Sequence, residues 1–199
     1  VKSINRQVKE QREKDNPLFP AVAVQAGCFT KELIRSTNTF AGIMRVAVNT
    51  RFLLPDYLEG YGYFIQETFR RITASHPEHE FIFIFDRPYE QQFVFGKNVT
   101  PVVAGPPARH PLLWKWWYDV KVPAVLRKYK ADVFVSCDGF CSLRTRVPQC
   151  LVVHDLAFLH HPDFISRSHL SFYKKYTPAF LRKAAAVATV SDFSRNDIL

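Results

Sequence analysis

A chain of 199 residues, 47% of them hydrophobic, can bury a sizeable core, which excludes global disorder. A formal net charge of +9 suits anionic substrates, a membrane surface or nucleic acid; no DNA- or RNA-binding motif accompanies it, so no nucleic-acid partner is expected. No apolar run approaches the roughly 18 residues of a membrane-spanning helix, and no secretory pattern of basic start, apolar block and small-residue cleavage site is present.

Residues 1–43 differ from the rest. Residues 2–15 are dense in charge and amide groups, and Pro17 and Pro20 then interrupt the chain. Residues 21–26 are apolar but for Gln25, yet neither a helix pattern nor a glycine turn follows them, and they are not read as a strand. Met44 is the only methionine and directly precedes the first convincing strand. The expected domain therefore spans 44–199. Residues 1–43 are expected to be an N-terminal extension, either disordered or upstream of the true start.

From Met44 the chain alternates strand and helix. Arg45–Asn49 is a short β-branched strand. Glu59, Gly60, Tyr61 and Gly62 then form a glycine turn opening into a helix that carries Phe64, Ile65, Phe69 and Ile72 on one face. A strand, a glycine turn and a helix start can bind an anion, because glycine lets the backbone approach and free N–H groups point at the ligand; the same pattern also makes a plain tight turn. Glu80–Phe85 and residues 98–104 are the next strands. Residues 112–130 are helical, with Leu113, Trp116, Trp117 and Val120 along one stripe and a kink or split expected at Pro123. Residues 131–136 and Gln149–Val153 are strands. Residues 166–183 form a basic helix bent at Pro178, residues 186–190 a sixth strand, and Ser191 N-caps a last helix. This alternation predicts an α/β fold, a Rossmann-like parallel sheet with helices on both faces. Ligands then bind at the carboxyl ends of the strands, in the loops 55–62, 137–146 and 154–162.

The chemistry concentrates after the strand at Gln149–Val153. His154 emerges at its carboxyl end, can titrate near neutrality, and can donate to or accept from a sugar hydroxyl; alternatively it satisfies backbone groups there. Asp155 could orient His154 or cap the following turn. His160 and His161 add imidazoles, but tandem histidines point apart and no carboxylate–histidine helical spacing accompanies them, so no metal is expected. A serine hydrolase is excluded for want of a Gly-x-Ser-x-Gly elbow. Cys28, Cys137, Cys141 and Cys150 show no paired or metal spacing and read as idle thiols of a reducing cytosol. Trp114, Trp116, Trp117 and Tyr118, interleaved with Lys115 and Lys121, suit either peripheral contact with anionic lipid or simple packing on the sheet. The basic helix at 166–183 adds Lys174, Lys175, Arg182 and Lys183 to the same choice.

Three stretches together resemble one family. Glu59-Gly60-Tyr61-Gly62-Tyr63-Phe64 is similar to the glycine loop of retaining GT-B glycosyltransferases of the family 4 type. Val152-Val153-His154-Asp155-Leu156 is similar to their strand-end histidine segment, and Ala188-Thr189-Val190-Ser191-Asp192-Phe193-Ser194 to the segment leading into the inter-domain helix. The resemblance covers essentially all of 44–199. It implies the N-terminal half of a two-domain GT-B architecture whose donor-holding C-terminal domain is absent from this chain. The implied reaction moves a sugar, with retention, from a nucleotide-sugar donor to a glycan or lipid-linked acceptor, in cell-envelope polysaccharide synthesis. Gly60 and Gly62 would face the donor diphosphate, His154 would be the catalytic residue beside the donor sugar, and Asp155 would orient it. No metal or cofactor is implied, the location would be cytoplasmic at the inner face of the membrane, and this half alone would be inactive. Tyr61 and Tyr63 depart from the family pattern, where a small aliphatic residue and an arginine are frequent. A non-catalytic Rossmann-like nucleotide- or glycan-binding module is the alternative.

Overall fold

The apolar runs become strands because each is short, rich in β-branched or aromatic residues, and closed by turn residues. The computed structural model of this chain describes residues 24–26 and 42–199. Most of the expected extension, with Cys28, lies outside the described residues. The strands are β1 (Val24–Ala26), β2 (Arg45–Asn49), β3 (Glu80–Phe85), β4 (Val99–Val103), β5 (Val133–Ser136), β6 (Gln149–Val153) and β7 (Ala186–Thr189). They form one sheet in the order β1-β7-β6-β5-β2-β3-β4, every pair parallel. The helices are α1 (Gly60–Ser75), α2 (Pro111–Trp116), α3 (Val122–Lys128), α4 (Ala157–His160), α5 (Arg167–Lys183) and α6 (Asp192–Ile198). Among the described residues no helix is long and apolar enough to cross a membrane.

Strand residues alternate between two cores, as a two-residue period requires. Val46, Val48, Phe81, Phe83 and Phe85 pack on one face against Ile65 and Phe69 of α1. Ala47, Ile82, Ile84, Phe134 and Leu151 pack on the other, against Trp117, Leu126 and Phe180. Both faces of the sheet are therefore covered, as a sheet of parallel strands demands. Side chains such as Phe69, Phe83 and Phe134 are at most 1% exposed, and each fully buried residue of this kind contributes roughly 1.5–3 kcal/mol through removal from water.

Two expectations are corrected. Val24–Ala26, discounted from the sequence, is a strand: it pairs with Val187–Thr189 at the sheet edge. An edge strand offers unpaired backbone groups to any extended segment, and that opportunity lies far along the chain where local periodicity cannot register it. The second correction concerns residues 112–130. The helix is split before Pro123 by a π-helical segment, Trp117–Lys121, in which the Val122 N–H donates to Trp117 O. Five residues per bond instead of four change the phase of the helix. Trp117, Tyr118, Val122 and Leu126 consequently face the core, while Leu112, Leu113, Trp116 and Val120 remain outside. The expected inward stripe of Leu113, Trp116, Trp117 and Val120 is thus divided between the two sides.

The sheet order places the site. From β2 the chain moves outward through β3 and β4, then returns to build β5, β6 and β7 on the other side of β2. The strand order reverses between β2 and β5, and a crevice opens at the carboxyl ends of such a pair.

Candidate active site at the carboxyl edge of the sheet

Asn49, Thr50 and Arg51 leave β2 at this reversal, and Cys137 and Asp138 leave β5 beside them. Arg51 Nε donates to Asp138 Oδ2 at 2.7 Å, with both side chains almost wholly buried. Asn49 Nδ2 donates to the same oxygen at 3.0 Å. The Tyr118 hydroxyl donates to Asp138 at 2.6 Å, Ser136 Oγ donates to Oδ1 at 3.1 Å, and the Phe140 N–H donates there at 3.3 Å. The guanidinium lies 4.8 Å from the centre of the Phe52 ring and 5.7–5.8 Å from those of Trp114, Tyr118 and Phe140. Burial pulls the Arg51 pKa down most, but the charge and hydrogen bond of Asp138, with Tyr118 and Asp86, together outweigh it and the pKa ends above its ordinary value. Burial, with Asp138 next, holds the Tyr118 hydroxyl well above its ordinary pKa, so it remains a donor. Asp138 is saturated by these donors. It is a structural anchor, and it holds the turn through Gly139, whose φ of +80° suits only a residue without a side chain.

Above this anchor lies a cleft of about 210 Å³, lined among others by Tyr61, Asp138, Gly139, His154, Asp155 and Tyr173. His154 follows β6. Its Nε2 lies 3.0 Å from the Cys137 carbonyl oxygen. A carbonyl only accepts, so Nε2 carries the proton and Nδ1 is the ring's acceptor. The imidazole edge meets the rings of Tyr61 and Phe64 at 4.6 and 4.9 Å. Burial lowers its pKa below the usual histidine value, which keeps it neutral near pH 7 and able to accept a hydrogen bond from a hydroxyl. Asp155 takes the capping alternative: its Oδ1 accepts the Ala157 N–H at 2.9 Å. The orienting partner of His154 is the Cys137 carbonyl.

The last sequence stretch joins the same place. Ser191 caps α6 by accepting the Ser194 N–H at 3.1 Å, and Ser194 Oγ donates to the His154 carbonyl oxygen at 2.7 Å. Three segments far apart in sequence thus meet around His154. The first turn of α1 borders the cleft through Tyr61, and its leading N–H groups have no carbonyl one turn back to bond. The two glycines differ. A Cβ on Gly62 would lie 2.6 Å from Phe52 O and 2.7 Å from Leu58 Cδ2, whereas one on Gly60 would meet nothing within 4 Å. Gly62 is required by packing, and Gly60 leaves open space at the helix start. Tyr63 points outward and is 57% exposed.

The other histidines find separate partners. His160 Nε2 bonds Asp197 at 2.6 Å, and His161 stacks on Phe164. At the amino end of the sheet, His76, Glu78 and His79 bring possible ligand atoms within 4.8 Å of one another. There the Met44 N–H donates to His79 Nδ1 at 3.5 Å, which keeps the proton on Nε2, the atom 3.7 Å from Glu78. His76 Nδ1 also lies 3.1 Å from Glu78 Oε1, so the three residues form a hydrogen-bonded turn. Cys137, Cys141 and Cys150 are buried free thiols; burial pushes Cys141 and Cys150 up to about 12, so they are inert near neutrality.

Sequence reading missed Arg51, Asp138 and Tyr173. A readable signal existed for the first two: polar residues emerging directly after apolar strands that adjoin the reversal. Their pairing across 87 positions required the sheet order.

The model of the family described as Glycosyltransferase Family 4 matches residues 62–199, more than half of the chain. No curated protein and no solved structure shows significant similarity to it.

Proposed function

The chain belongs to Glycosyltransferase Family 4, and from that premise we propose that it is the N-terminal, acceptor-side half of a retaining GT-B enzyme. The proposed reaction passes a sugar from a nucleotide-sugar donor to a glycan or lipid-linked acceptor in cell-envelope polysaccharide synthesis. The observation that carries this reading is that Tyr61 and His154 meet in the cleft beside the reversal of strand order, with Ser194 holding the His154 carbonyl.

In this reading the first turn of α1 receives the donor diphosphate on its leading N–H groups, Gly60 giving the phosphate room and Gly62 letting the turn sit against Phe52. These donors, fixed in place before reaction, stabilise the charge that grows on the leaving diphosphate. His154 stands beside the donor sugar as a neutral ring whose Nδ1 accepts a hydroxyl proton, and its orientation is fixed by the Cys137 carbonyl. Tyr61 and Tyr173 form aromatic walls suited to the apolar face of a sugar ring.

The test is transfer from labelled nucleotide sugars by the complete enzyme, wild type against His154→Ala. The variant is expected to lose about 10²–10⁴ in turnover while its thermal midpoint moves little. Unchanged turnover, or unfolding that accounts for the whole loss, would refute the role of His154. Donor binding without any transfer by the wild type would favour a binding module instead.

A further inference from the structure

The cleft beside His154 holds more polar groups than its own walls engage. Tyr61, Tyr173 and Thr177 line it, and the hydroxyl of each lacks a hydrogen-bond partner among the described residues. Thr177 is only 6% exposed. A buried hydroxyl left unpaired is unfavourable, and a ligand in the cleft would relieve it. Asp155 gives Oδ1 to the Ala157 N–H, which leaves Oδ2 free at the cleft wall. His154 keeps Nδ1 as an acceptor, since its Nε2 is engaged by the Cys137 carbonyl. Hydroxyls that donate or accept, a carboxylate oxygen and an imidazole nitrogen form a set suited to a polyol. The rings of Tyr61 and Tyr173 add apolar surface for a ring face. At about 210 Å³ the cleft is smaller than the roughly 300–1,000 Å³ of pockets for larger ligands, and it suits a single sugar ring.

The charge of the cleft is opposite to that of the chain. The formal net charge is +9, yet among the described residues no Lys or Arg lines the cleft, whereas Asp138 and Asp155 do. Arg51 lies beneath it and is engaged with Asp138 at 2.7 Å, so Asp155 is the unpaired charge of the wall. The tyrosines register the same field: burial is the main cause that raises the pKa of Tyr61 and of Tyr173, and both carboxylates add to it. The anion-accepting feature at the border is the start of α1, which the proposed reaction assigns to the donor diphosphate. A sugar with its own carboxylate or phosphate would meet Asp155 with no cation on the wall to offset the repulsion.

We propose that this cleft seats an acceptor sugar without an acidic group, and that Asp155 is a specificity-determining residue whose free oxygen accepts a sugar hydroxyl and whose charge turns uronates and sugar phosphates away. Thr177 supplies a further hydroxyl contact. The inference rests on the reading of this cleft as the sugar site of a glycosyltransferase.

Saturation-transfer NMR titrations of the chain test it, with the methyl glycosides of glucose, mannose and galactose, each beside the corresponding uronate, and with glucose 6-phosphate. At least one neutral glycoside is expected to bind, about tenfold or more tightly than its acidic counterpart. Asp155→Asn keeps a carbonyl oxygen for the Ala157 N–H and removes the charge, so the preference should fall below about threefold. Thr177→Val keeps the shape and removes the hydroxyl; it should weaken the neutral glycoside about three- to tenfold without lowering the thermal midpoint, since that hydroxyl has no partner in the free protein. Uronates bound as tightly as their neutral counterparts, a preference unchanged in Asp155→Asn, or no binding of any neutral glycoside would overturn the proposal. Transfer assays separate this outcome from the fate of the reaction. A complete enzyme that transfers to acidic acceptors as well as to neutral ones refutes the selectivity alone, whereas charge-selective binding without any transfer supports the selectivity and refutes the reaction.

Discussion

Replacing Arg51 by Met tests whether the floor of the cleft is held by charge pairing. Methionine keeps most of the aliphatic length among Phe52, Trp114, Tyr118 and Phe140 but removes the cation from Asp138. Among the described residues Arg51 is the only cation bridging this carboxylate. Breaking a buried pair by removing one partner costs about 3–5 kcal/mol, because the other charge stays in the interior. Tyr118, Ser136, Asn49 and the Phe140 N–H still donate to Asp138, so the lower end, about 3 kcal/mol, is expected. For a domain of this size that corresponds to a fall in thermal midpoint of roughly 6–12 °C. The assay is urea denaturation of wild type, Arg51→Met, Asp138→Asn and the double variant. The double variant should lose less than the sum of the singles, by about 1–3 kcal/mol. A cost below about 1 kcal/mol for Arg51→Met, or strict additivity in the cycle, would refute the argument and reduce the pair to incidental contact.

Gly62→Ala should destabilise by about 1–3 kcal/mol, because its Cβ would strike a backbone oxygen that cannot turn aside; Gly60→Ala should leave stability level or slightly raised, and thermal denaturation separates the two. The pH dependence of stability follows from His154. Its folded pKa is held below its unfolded value by burial, so the unfolded chain binds the proton first. This part of the stability is full above about pH 6.5, declines as pH falls through that value, and levels off below the folded pKa. Urea denaturation from pH 8 to pH 5 should show that decline reduced in His154→Gln; an identical profile would contradict it.

Periodicity was enough for the elements that bury themselves by local pattern. Runs such as Glu80–Phe85 are too short and too apolar for anything but interior strands, and their alternation with helices admits little besides a covered parallel sheet. The glycine turn, His154 and the Ser191 cap were legible for the same reason: each is a local signal at the end of an element. What periodicity could not carry was anything that depends on which strands are neighbours. Val24–Ala26 is a strand only because β7 presents an open edge to it. Arg51 and Asp138 form one unit only because β2 and β5 lie side by side, and the Ala157 N–H bound to Asp155 assigned a role that the residue type alone left open. The helix after residue 110 shows the limit most plainly. A single π-helical segment before Pro123 rotated its faces, so the residues that composition marked as core were divided between the interior and water by backbone hydrogen bonding that no hydrophobic pattern encodes.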